Sequence, residues 1–176
     1  LRANGSGGTS WVNPSTLDNI VFTSTLANSK TSNITPSSSD TPLVCSFDST
    51  ESNSDVTMDS SGVITVNTSG IYSLTFNLNF GRSNNTGTAE LFARLLVNDS
   101  PYGFVQGVTL SDNANIRPTQ ANLELDLSAT DTIKVEIIRD SSGAADGGLV
   151  AMDPTLAGVD TVPSYWVRIR KLIGAT

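Results

Sequence analysis

Carboxylates are the residues of this chain whose number suggests chemistry. The 176 residues hold 17 Asp and Glu against 10 Lys and Arg, a formal net charge of −7, and no histidine. Two carboxylates about 6.5–9.5 Å apart can hydrolyse a glycoside with inversion. Glu90, Glu124 and Glu136, with the aspartates of 140–162, are the candidates, but no spacing pairs them. Glu124 and Glu136 read as solvent-face residues of strands. Asp140, Asp146, Asp153 and Asp160 carry oxygen ligands of the kind calcium takes, yet their spacing is not that of an EF-hand. The lack of histidine removes Ser–His–Asp and Cys–His nucleophiles and the usual zinc sites. Cys45 is alone, so it forms no intrachain disulfide, and within Leu43 to Phe47 it reads as a small buried hydrophobe. The sequence therefore assigns no catalytic residue, no metal and no cofactor.

The acidic balance also limits partners. A general nucleic-acid binder needs a basic stripe to displace counterions, and adhesion to anionic lipid needs basic clusters. No apolar run of about 18 residues crosses a membrane as a helix. A neutral sugar or a protein remains open as a partner.

The elements that must position any site are strands. From Gly62 to Phe80, Tyr72, Leu74, Phe76, Leu78 and Phe80 alternate with Ser73, Thr75, Asn77 and Asn79. A period of two is the signature of a strand with one buried face. Ile64 and Val66 form a shorter strand before the turn Asn67-Thr68-Ser69-Gly70. Further strands are expected over 18–25, 43–47, 89–97, 102–108, 120–127, around 133–137, and 164–173, with a minor one at Val56–Met58. Tyr102 and Phe104 read as core. Residues 26–42 and 140–162 read as long loops. Eight to ten strands with no helical stripe predict an all-β, antiparallel, two-sheet jelly roll. Residues 1–10, with Gly5-Ser6-Gly7-Gly8, read as a flexible linker from an upstream stalk, and 11–176 as one head domain.

The ordered set of motifs resembles the tumour necrosis factor/complement globular-head superfamily of jelly rolls. Ser61-Gly62-Val63-Ile64-Thr65-Val66 and then Ser69-Gly70-Ile71-Tyr72-Ser73-Leu74 are similar to its short strand, Gly turn and Gly-x-Tyr strand. Leu95 to Pro101 resembles a strand ending in an Asn-rich turn. Asn122-Leu123-Glu124-Leu125 through Ala129 to Val135 resembles its Leu-rich strand, turn and following strand. Ser164-Tyr165-Trp166-Val167-Arg168-Ile169 sits where the last strand closes the inner sheet. The similarity spans about residues 17–172; the region before 55 matches poorly, and 140–162 is longer than the pattern expects.

The resemblance implies a homotrimer with its inner sheet near the three-fold axis. Trp166 is out of phase with the inward residues of its strand, so it and Arg168 are candidate interface residues, with Ser73, Thr75 and Asn77. The implied topology gathers loops 26–42, 81–88, 108–116 and 140–162 at the end opposite the linker. Asn84, Asn85, Asp112, Asn113, Asp146 and Asp153 are the candidate receptor-contact residues there. The expected function is a non-enzymatic attachment head at the tip of a viral fibre, spike or tail needle, a bacteriophage's in particular, displayed on the virion surface and contacting a host glycan or protein. The alternatives are a cytokine-like or bacterial surface-filament ligand and a carbohydrate-binding module.

Overall fold

A computed structural model describes residues 2–3, 9–10, 22–82, 87–111, 116–142 and 146–172. A short pair, β1 (Arg2–Ala3) and β2 (Thr9–Ser10), stands apart from the two main sheets. One main sheet has five strands: β3 (Phe22–Lys30), β8 (Gly70–Gly81), β11 (Arg117–Leu127), β13 (Gly148–Leu149) and β14 (Tyr165–Leu172). Its order is β11-β8-β14-β3, with β13 on the end of β8. The other has seven: β4 (Leu43–Val44), β5 (Glu51–Ser52), β6 (Val56–Met58), β7 (Ile64–Val66), β9 (Ala89–Val97), β10 (Ser100–Leu110) and β12 (Thr132–Arg139). Its order is β10-β9-β12-β7-β6-β5, with β4 against β12. Every pairing is antiparallel. The two-residue strands β4, β5 and β13 carry the count past the eight to ten expected.

The alternation read in β8 is the alternation observed. Tyr72, Leu74, Phe76, Leu78 and Phe80 are fully buried between the sheets. Leu91, Ala93 and Leu95 of β9 and Ile133, Val135 and Ile137 of β12 meet them from the other side. Phe76 and Phe104 pack edge to face with ring centroids 5.1 Å apart, and Phe47 stacks on Tyr165 at 5.4 Å. Cys45 is fully buried in this core, and burial pushes its thiol pKa far up, so it is inert.

Three expectations change. The strand expected over 18–25 runs on to Lys30, as Phe22–Lys30 among the described residues, so the loop begins after it and not at 26; residues 18–21 lie outside the described residues. Leu26 and Asn28 turn inward while the whole strand pairs with β14, so tertiary pairing extends a polar segment as a strand. Tyr102 is exposed, whereas Phe104 packs against the core. The register shifts between Pro101 and Val105, where Gly103 has φ +44°, and that irregularity carries Tyr102 away from the core. The 140–162 connection is not one open loop, because β13 pairs with Gly81 and Phe80, and Met152 bridges Val162. Phe92 is half-buried on the outer face, with Gly107 beneath its ring, and Leu96 is buried.

Register fixes the two ends of the molecule. Phe22 is opposite Leu172, and Leu172 is opposite Ile71, so β3 starts where β14 ends and β8 starts. Lys30, Tyr165 and Leu78 align at the other end. The connections that follow β3 and β8 and precede β11 and β14 leave from that second end, away from the incoming chain.

Candidate interaction surfaces

The solvent face of the five-stranded sheet is a grid set by register. Ser73 lies between Glu124 and Arg170, Thr75 between Asn122 and Arg168, and Asn77 between Gln120 and Trp166. Beyond β14 the rows end on Thr25, Ala27 and Ser29, small side chains at the sheet edge. Ser73, Thr75, Asn77, Trp166 and Arg168 therefore occupy one continuous surface. Thr75 is 5% exposed because its hydroxyl donates to Asn122 Oδ1 at 2.7 Å and larger neighbours flank it. The Arg168 guanidinium sits 5.5 Å from the Trp166 ring centroid. Such a contact contributes about 0.5–1 kcal/mol at a solvated site and fixes both side chains in place. Arg168 Nε is buried without a hydrogen-bond partner among the described residues. Ile71 lies on the same face and is exposed.

Sequence reading missed Gln120, Asn122 and Glu124 as members of this grid. Their phase was legible, since Leu123, Leu125 and Leu127 alternate with them. Their position beside β8 was not, because it depends on pairing between distant segments.

At the loop end, two buried arginines hold the connections together. Arg82 Nη1 donates to the carbonyl of Gly87 and, at 3.4 Å, to that of Leu110. Its Nε lies 4.0 Å from Asp146 Oδ2. Arg139 donates to the Pro36 carbonyl at 3.2 Å, while its own carbonyl accepts from the Asp40 amide. Asp146 thus faces Arg82 beneath the loops. Asp153 is exposed and accepts from the Thr161 hydroxyl at 2.7 Å. Asn84, Asn85, Asp112 and Asn113 lie outside the described residues.

Of the candidate carboxylates, Glu90 and Asp140 come together at the loop end, where the Ser142 hydroxyl lies 2.6 Å from Asp140 Oδ1 and 3.1 Å from Glu90 Oε2, while Glu124 and Glu136 stay apart. Glu124 stands on the solvent face of one sheet, and Glu136, which accepts from Arg94 Nε at 2.8 Å, stands on the other. Among the described residues no group of three or more acidic or Cys side chains is arranged to hold a metal. An open cleft of about 560 Å³ is lined by Asn33, Ile34, Thr35, Pro42, Leu43, Val44, Ser46 and Ser61. That lining offers no titratable group for acid–base work.

No family model and no curated protein sequence matches the chain. Solved structures do. The globular domain of zebrafish complement 1qA protein aligns with a TM-score of 0.50 at 13% identity, over 86% of this chain and 98% of that one. Rabbit GITRL aligns with a TM-score of 0.40 at 14% identity, over 70% of this chain and 81% of that one. Pika GITRL aligns with a TM-score of 0.39 at 13% identity, over 72% and 85%. The chain folds as a jelly roll of the tumour necrosis factor/complement globular-head type.

Proposed function

We infer that the chain is a non-enzymatic, homotrimeric head that acts by recognising a partner outside the cell. The observation that carries this reading is the Trp166–Arg168 face. A five-stranded surface holds an aromatic ring, an exposed Ile71 and a buried guanidinium nitrogen lacking an acceptor. Packing this face against a second copy removes the apolar surface of Trp166 and Ile71 from water. The fold's likeness to a complement globular domain supports the same assignment, although fold alone does not transfer function.

Sedimentation equilibrium tests it. The expected mass is three times the 18.5 kDa of one chain, falling to one in Arg168→Glu. A stable monomer of the unaltered chain at micromolar concentration overturns the assembly. A ligand-type trimer is the broader reading. The attachment tip of a viral fibre, a bacteriophage's in particular, is the narrower one, supported by the Gly5-Ser6-Gly7-Gly8 joint and the Ser-, Thr- and Asn-rich loops. Binding of the isolated head to intact host cells distinguishes the two; undiminished infectivity after deletion of the head removes the narrower one.

A further inference from the structure

The segment from Ala151 to Pro163 shows water three large hydrophobic side chains within eight residues. Met152, Leu156 and Val159 are 39%, 70% and 49% exposed, and they are three of the seven large hydrophobics left exposed among the described residues. They do not sit on a loose loop. Met152 and Val162 exchange backbone hydrogen bonds of 3.1 and 2.8 Å. The Val159 amide donates to the Leu156 carbonyl at 3.3 Å, closing the turn, and Thr161 clips one limb to Asp153. At the foot, Val150 donates to the Asn79 carbonyl at 2.8 Å, and Asn79 Nδ2 donates to the Pro163 carbonyl at 2.7 Å. The result is a braced hairpin with an apolar crown at the end of the molecule opposite Phe22.

The charge carried by the hairpin itself is of one sign. Asp153 and Asp160 are exposed on its two limbs, and no Lys or Arg occurs between Arg139 and Arg168. A surface of this kind is complemented by an apolar pocket rimmed with cations. Glycans offer hydroxyls, which a Leu or Val side chain cannot satisfy, and an anionic bilayer repels the two aspartates.

We propose that this hairpin is a protein-recognition arm, and that its partner is a protein presenting an apolar pocket bordered by Lys or Arg. The inference rests on the chain being a recognition head and names the class of partner that the head takes. Leu156 and Val159 enter the pocket, and Asp160 pairs with its rim.

Selection from a random displayed-peptide library on the whole chain tests it. The recovered peptides are expected to combine aliphatic or aromatic residues with Lys or Arg. Their binding falls by at least about tenfold in Leu156→Asp/Val159→Ser, a hot-spot-sized loss. It falls by a smaller factor in Asp160→Asn and weakens as salt is raised. Both crown positions are exposed, so an unchanged melting temperature certifies the double variant as folded. Recovered peptides that bind the double variant as tightly overturn the proposal. So do recovered peptides without this composition, and so does crown-dependent retention on phosphatidylcholine vesicles or dextran in place of peptides. The mass of each variant separates this from the assembly reading. A monomer whose crown still binds peptides removes the trimer alone, and a trimer that binds none removes the arm alone.

Discussion

Lys171 Nζ lies 3.1 Å from Asp55 Oδ1, joining the last strand of one sheet to the turn between β5 and β6 at the edge of the other. Thr68 and Ser24 donate to the same carboxylate, and Lys171 also reaches the Thr68 hydroxyl at 2.6 Å. Three segments converge on the anion of a fourth at the end where β3 begins. The Thr68 bond first, then those from Ser24 and Lys171, hold the Asp55 pKa below the ordinary carboxylate value.

Asp55→Asn is expected to cost about 1–3 kcal/mol, because it leaves Lys171 half-buried without its counter-charge. The sign of the pH effect follows from the lowered folded pKa. The stabilisation is complete above the unfolded value of about 3.9 and is lost as pH falls through the folded value. Urea unfolding from about pH 5 to pH 3 should therefore show a shallower acid loss in Asp55→Asn than in the unaltered chain. Parallel slopes would mean that this carboxylate contributes nothing to acid sensitivity.

Gly62 is the position in the β6–β7 turn that no side chain can take. Its φ is +95°, and a Cβ there would lie 2.2 Å from the Cys45 carbonyl oxygen. Gly62→Ala must shift the buried backbone beside Cys45, at an expected cost above about 2 kcal/mol. Gly103 provides the contrast, because its φ is +44° but a Cβ there meets nothing within 4 Å. Gly103→Ala should cost about 1 kcal/mol from backbone strain alone. Denaturation midpoints that fell equally would show that the Cys45 contact relaxes freely.

Where the sequence reads clearly, a buried face writes its own period. Tyr72 to Phe80 alternate without a break, and the structure keeps each of them in the core. The pattern misleads where something other than burial sets the face. Asn28 is polar yet buried, because its amide donates to the Ser49 carbonyl at 3.0 Å, so 26–30 carries no apolar alternation to announce a strand. Tyr102 sits in a run that alternates well enough to read as core, until the shift near Gly103 changes its phase. The candidate face divides in the same way. Trp166 and Arg168 are two residues apart on one strand, so their shared face was legible. The Thr75–Asn122 bond joins residues 47 apart and becomes visible only with register.

Phe76 is the joint between the sheets, fully buried and edge-on to Phe104 of the opposite layer. Phe76→Ala leaves a cavity that the neighbouring strands cannot close and should cost about 3–5 kcal/mol. Phe76→Leu should cost less, because it retains most of the volume. Equal losses in urea unfolding would place the cost in the aromatic contact instead of the cavity.

Asn79 links the core strand β8 to the arm. It is 3% exposed, and its side-chain amide holds the Pro163 carbonyl while its backbone holds Val150 and Ser164. Asn79→Ala removes the bond to Pro163, together with the long 3.4 Å bond that Asn79 Oδ1 accepts from Asn77 Nδ2, and leaves the backbone bonds in place, so the foot of the hairpin should loosen while β8 stays paired. The expected stability loss is about 1–2 kcal/mol. Amide exchange should accelerate at Met152 and Val162, whose mutual bonds close the hairpin, and stay unchanged at Leu74 and Phe76. If all four amides accelerated together, the hairpin would open only with the whole domain, and Asn79 would be an ordinary core contact. If Met152 and Val162 alone accelerated, the arm would be a separately opening unit whose rigidity is set from the sheet beneath it.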